Sequence, residues 1–257
     1  MHVGDYLRRI GYDRPIDLTA ETLGALHRAH IATVPFENLD IHLGVPIVLS
    51  LPAFYDKIVT RRRGGFCYEL NGLFGWLLEE LGFEVALHSA RVASPGRLSP
   101  EFDHLVLSVE LEDRWVADVG FGESSLEPLR MEPTRPGDAD GYVISREGDL
   151  CTMARCTRGI PEIQYVFTLL PRRLEEFEAR CSYQQTSPES HFTQKTICSL
   201  ATPSGRITLS GPRLIVTSEG RREERALGSG EDYRKLLKNR FGLELTEGEV
   251  DRLMRTS

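Results

Sequence analysis

Leu70, Leu73, Phe74, Leu77, Leu78 and Leu81 recur at three- and four-residue steps, the spacing of one helical face, and Gly82 follows where such a helix would stop. The same logic predicts a short helix around Asp5 to Ile10, ended by Gly11. A second runs from a Thr19 cap to about Ala32, ahead of Val34-Pro35, and a third from a Ser50 cap through Phe54, Tyr55 and Ile58. Residues 1 to about 82 therefore read as helical. From Phe83 the period becomes two. Phe83, Val85 and Leu87 alternate with other residues, and Leu105–Val109 and Trp115–Val119 flank a polar turn at Glu112-Asp113. Strand-like runs at Tyr142–Ser145, Gln164–Leu170, Lys195–Leu200 and Ile207–Leu209 extend this into a mostly antiparallel barrel or strongly curved sheet. The tail returns to helix, with Ser229 as one cap and Thr246-Glu247-Gly248-Glu249 at capping-box spacing. The Pro/Gly stretches at 94–100 and 133–141 read as long loops.

Composition narrows the class. A chain of 257 residues with 40% hydrophobic content can build a sizeable core, as one large domain or as two or three small ones sharing an interface. No apolar run is long enough for a transmembrane helix, and the polar N-terminus lacks the apolar core of a signal peptide. Five cysteines at irregular spacing argue against a disulfide scaffold and for a reducing compartment, the cytoplasm by default. Cys151 and Cys156 lack the partner set of a metal site, so no metal is expected. A net charge of -7 speaks against nucleic acid as a partner. Arg61-Arg62-Arg63 reads either as a solvated turn or as a phosphate contact for an anionic cosubstrate.

Candidate chemistry concentrates in Arg63-Gly64-Gly65-Phe66-Cys67-Tyr68-Glu69-Leu70-Asn71. The two glycines permit positive φ and a sharp turn, and Cys67 falls in the first turn of the helix, where aligned N–H groups favour thiolate. Cys67 also shares the buried face of Leu70 and Phe74, where a thiol is more often an inert small hydrophobe than a nucleophile. In the loop Val34–Asp40, Glu37 is the natural partner of Arg63. Downstream, His104 opens one strand of the hairpin, and Asp118 closes the other before Gly120-Phe121-Gly122. Cysteine, histidine and aspartate supply a nucleophile, a base and an orienter. Hairpin arithmetic does not join them, because a tight turn at Glu112-Asp113 sets Asp118 opposite Leu107 or Ser108, roughly 10 to 13 Å along the strand from His104. Contact requires a bulge or a longer loop nearer Leu111.

These motifs together, with Val34-Pro35-Phe36-Glu37-Asn38-Leu39 before them and Ser190-His191-Phe192 and Gly205-Arg206-Ile207-Thr208-Leu209 after, resemble the arylamine N-acetyltransferase family over nearly the whole chain. The resemblance implies an α+β fold: a helical bundle over 1–82 carrying the nucleophile, a central antiparallel β-barrel over 83–190 carrying His and Asp, and an α/β lid over 191–257. It implies a catalytic triad of Cys67, His104 and Asp118, an acceptor pocket walled by Phe36, Phe121 and Gly122, and a brace of Arg63 with Glu37 under the cysteine turn. The implied reaction is ping-pong acetyl transfer from acetyl-CoA, a cosubstrate rather than a permanently bound cofactor, to arylamines or arylhydrazines. An amide synthase closing a macrolactam, a transglutaminase-like thiol hydrolase and a silent binding protein are the alternatives. The physiological acceptor and the oligomeric state stay open.

Overall fold

The computed structural model describes residues 1–123, 125–131 and 141–255. Helices α1 (Val3–Ile10) and α2 (Ala20–Thr33) open the chain, and the Thr22 N–H is capped by Thr19 Oγ1 at 3.2 Å. The two-residue strand β1 (Phe36–Glu37) leads through α3 (Leu39–Leu43) to α4 (Leu51–Tyr55). Ser50 gives α4 no side-chain cap, and α4 continues as one π-helical turn over Asp56–Thr60 rather than as regular α-helix. Helix α5 (Cys67–Glu80) follows, ending before Gly82 at φ 98°. Its Leu70, Leu73, Phe74, Leu77 and Leu78 are buried, as their spacing predicts.

The middle of the chain is a mixed-length antiparallel sheet, nearly closed into a barrel. It comprises β2 (Glu84–Ser94), β3 (Arg97–Leu98), β4 (His104–Glu110), β5 (Arg114–Ala117), β6 (Leu129–Arg130), β7 (Gly141–Glu147), β8 (Leu150–Thr157) and β9 (Ile160–Thr168). The order is β6-β5-β4-β2-β9-β8-β7, with β3 folded back on β2 and the end strands β6 and β7 side by side. The stretch at 94–100 is thus the tip of a strand pair turning at Gly96, not a long loop. Its side chains are mostly exposed, so no apolar alternation marks it. The loop read at 133–141 lies outside the described residues, apart from Gly141 at the start of β7. Cys151 and Cys156 on β8 bury in different apolar clusters, one beside Tyr165 and Phe167, the other beside Val143 and Ala154, so they do not form a pair.

Helices α6 (Glu178–Thr186) and α7 (His191–Gln194) lead into β10 (Ile197–Thr202), β11 (Gly205–Ser210), β12 (Arg213–Ser218) and β13 (Arg221–Ala226), then α8 (Gly230–Phe241) and α9 (Glu247–Arg255). These four strands form a second sheet to which β1 adds an edge, pairing Phe36 with Ser199. The loop before α3 is therefore stitched to the C-terminal sheet, and Asn38 reinforces the seam through Phe192 O, Lys195 O and the Ile197 N–H. Among the described residues no helix is long and apolar enough to cross a membrane.

Beneath the start of α5 lies a buried ionic network. Lys57 Nζ reaches Asp40 Oδ2 and Glu69 Oε1, each at 2.9 Å. Arg63 reaches Glu37 Oε1 at 2.7 Å and Asp40 Oδ1 at 2.9 Å. Glu69 also accepts from the Phe66 N–H at 3.0 Å, and Glu37 from the Leu39 N–H at 2.8 Å. Burial alone would depress the Lys57 pKa, but Glu69, Glu37 and Asp40 more than offset it, so the ammonium stays charged. Removing one member of such a network leaves an uncompensated buried charge. Lys57→Met is therefore expected to destabilise the fold by about 3–5 kcal/mol, read as a lowered urea midpoint; an unchanged midpoint would show that the network carries no net stability.

Candidate active site

Cys67 begins α5, and the chain just before it passes unusually close to its neighbours. A Cβ on Gly64 would lie 2.0 Å from Pro35 O, and one on Gly65 2.8 Å from Glu69 Cβ. The glycines are needed for this approach and not for positive φ, which falls instead on Arg62 at 54°. Arg63 lies inside the ionic network and Arg61 pairs with Asp56. The guanidinium of Arg63 is thus committed to carboxylates, not to a phosphate. Across the cavity floor, a Cβ on Gly120 would come within 2.9 Å of Cys67 Cα, so the turn after Asp118 rests directly on the cysteine backbone.

The hairpin reaches its geometry through a three-residue loop. Glu110 pairs with Arg114, leaving Leu111, Glu112 and Asp113 as the connection, and Leu107 faces Ala117. Continuing that register sets Asp118 across from Val106, on the same face as His104 and diagonal to it, where side chains meet. His104 Nε2 donates to Asp118 Oδ2 at 2.8 Å. The contact that a tighter turn forbids is thus made by shifting the register one residue.

Asp118 is also held by groups the sequence reading did not single out. Tyr165 on β9 donates to Oδ2 at 2.9 Å, Asn71 on α5 to Oδ1 at 2.8 Å, and the Gly120 N–H to Oδ1 at 3.0 Å. The Asp118 N–H donates to His27 Nε2 at 3.3 Å. Asn71 stands four residues after Cys67, on the same helical face, and that spacing was a usable signal. Tyr165 had none, because only the pairing of β9 with β2 brings it there. Burial works to raise the Asp118 pKa, but the positive charge of His104 and the donated hydrogen bonds hold it below the usual carboxylate value.

Cys67, His104 and Asp118 are 3%, 2% and 5% exposed, and the first two line a cavity of about 350 Å³. Phe36, Phe121 and Phe192 form its apolar walls, and Gly122 also lines it. The Phe121 ring stands edge-on to His104, centroids 5.2 Å apart. Burial, then the negative charge of Asp103, push the Cys67 thiol well above its ordinary pKa, while a backbone hydrogen bond from Leu105 acts the other way. The helix start therefore works against a burial that favours the neutral thiol.

The N-acetyltransferase family profile matches residues 19–250, and the arylamine N-acetyltransferase of Mycolicibacterium smegmatis is 40% identical over 255 residues, covering 95% of this chain and 93% of that protein. The chain belongs to the arylamine N-acetyltransferase family. Arylamine N-acetyltransferase 1 of Homo sapiens is 34% identical over 275 residues, 95% of each chain. Among solved structures, the M. smegmatis arylamine N-acetyltransferase matches with a TM-score of 0.89 and 37% identity, covering 100% of this chain and 98% of that one. The Mycobacterium marinum arylamine N-acetyltransferase in complex with CoA gives 0.90 and 31%, covering 99% of both.

For this family member the depressed Asp118 pKa has a stability consequence. A carboxyl that binds its proton less readily when folded contributes stability above the unfolded-state value, and that contribution is lost as pH falls through the folded value. Urea midpoints should therefore fall more steeply below about pH 4 for the native chain than for Asp118→Asn. Parallel pH dependences would contradict the assigned electrostatics.

Proposed function

We propose that this chain transfers an acetyl group from acetyl-CoA to an arylamine or arylhydrazine through an acetylated Cys67. The observation that carries this reading is the aromatic cavity lined by Cys67 and His104 together, with His104 held by Asp118.

Because Nε2 of His104 is engaged by Asp118, Nδ1 is the nitrogen left to exchange protons. In the first half-reaction Nδ1 takes the Cys67 proton as the sulfur attacks the thioester carbonyl, which removes the obstacle that burial sets against a free thiolate. The N–H groups opening α5 stabilise the oxyanion. The C–S bond to CoA then breaks, and the departing sulfur takes the proton back from His104. In the second half-reaction the amine nitrogen attacks the acetyl carbonyl and gives its proton to Nδ1. The C–S bond to Cys67 breaks, and the sulfur recovers that proton. Asp118 keeps the imidazole in the required tautomer and favours its charged form.

Phe36 and Phe121 suit a flat acceptor, since ring pairing adds about 0.5–1.5 kcal/mol beyond burial, and Gly122, without a side chain, leaves room beside them. Arg63 with Glu37 braces the turn that presents Cys67. The acyl group arrives on a dissociable cosubstrate, and CoA is what the solved M. marinum relative holds. A cytoplasmic setting is supported by five free, buried cysteines.

Steady-state rates with acetyl-CoA and a simple arylamine should give parallel double-reciprocal lines. Cys67→Ser should lower kcat by at least roughly a thousand-fold with an unchanged circular dichroism spectrum. Intersecting lines, or substantial activity in the serine variant, would remove the acetyl-cysteine route.

A further inference from the structure

One wall of the cavity differs chemically from the rest. Phe36, Ser199 and Thr208 form a row across β1, β10 and β11, since Phe36 pairs with Ser199 and Ser199 with Thr208. Arg206, two residues before Thr208, shares their face and lines the same cavity. Its Nη1 donates to Ser199 Oγ at 3.2 Å, and the Ser199 and Thr208 hydroxyls are joined at 2.7 Å. One hydroxyl proton of that pair serves the bond between them, which leaves the other free to donate.

Among the described residues no carboxylate forms an ion pair with Arg206. Of the acids lining the cavity, Glu123 pairs with Arg155 at 3.3 Å and Asp103 with Arg180 at 2.6 Å. Burial lowers the Arg206 pKa, with Tyr142 and Glu123 pulling the other way. A guanidinium turned into a cavity without a paired acid, with most of its planar donor fork unspent and a hydroxyl beside it, matches the geometry of a carboxylate or a phosphate.

We propose that Arg206, Ser199 and Thr208 form an anion-binding subsite that holds a carboxylate or phosphate of a bound substrate while its reacting end lies at Cys67. The inference rests on reading the cavity as the substrate site. Two substrates bring such a group: an acceptor with a carboxylate on its ring, and the cosubstrate with its phosphates. Either way Arg206 acts in binding and takes no proton in the reaction.

Isothermal titration of the full chain separates the sources without requiring turnover. Benzoate against benzamide probes an acceptor carboxylate, and 4′-phosphopantetheine against pantetheine probes a cosubstrate phosphate. In at least one pair the anion should bind about ten-fold or more tightly than its neutral counterpart, the strength of a charge-assisted hydrogen bond. That gap should vanish in Arg206→Gln and survive in part in Arg206→Lys, with both variants folded by circular dichroism. The pair that shows the gap identifies the group. No gap in either pair, or a gap unchanged in Arg206→Gln, overturns the subsite. A gap without acetyl transfer in the native chain would instead remove the transferase reading and leave the subsite standing.

Discussion

The carboxylate of Asp118 is the point through which the site is assembled. It accepts from His104 on β4, Tyr165 on β9, Asn71 on α5 and the Gly120 N–H beyond β5. A buried carboxylate without such donors would be protonated or expelled, so the four bonds are the condition on which it stays charged there. They also bind three separate pieces of chain to one atom pair. The helix that carries Cys67 and the strand that carries His104 are therefore placed relative to each other by the same group that orients the imidazole. Asn71 doubles this link by donating to Leu105 O at 2.6 Å and accepting from the Val119 N–H at 2.9 Å.

A second constraint acts from the other side of the cysteine. Two cations and three carboxylates, Lys57, Arg63, Glu37, Asp40 and Glu69, join the π-helical turn, the glycine approach, β1 and the first turn of α5. Since β1 is also the edge of the C-terminal sheet, the network couples the base of the cysteine helix to the wall bearing Phe36, Ser199 and Arg206. Cys67 is thus fixed from below by ion pairs and from in front by the Gly120 turn. What lies open to it is the aromatic cavity.

Much of this was legible in the sequence, for reasons that differ by element. The buried stripe of α5 is strictly periodic, and the Thr19, Ser229 and Thr246 caps have side chains suited to that role, so helix and cap appear together. The motifs around Cys67, His104 and Asp118 marked these residues as candidates before their geometry was known. Their union was hidden because it depends on whether the hairpin loop has two residues or three, a difference no alternation of Leu and Val records. Strand β13, Arg221–Ala226, is fully exposed and carries no apolar face, so nothing but pairing with β12 defines it. Tyr165 and Arg206 gain their meaning from which strands lie side by side, a property of topology rather than of local pattern.

Burial opposes ionisation of the Cys67 thiol, so the proposed route needs the His104 imidazole to take its proton and the acyl group to stay on sulfur beside the aromatic walls of Phe36, Phe121 and Phe192. The direct measurement is intact mass of the protein after mixing with acetyl-CoA alone, followed by peptide mapping and by addition of an arylamine. The account predicts one acetyl group per chain, on Cys67, that disappears as acetylated amine forms. No adduct, or an adduct on another residue that the amine fails to discharge, would contradict it.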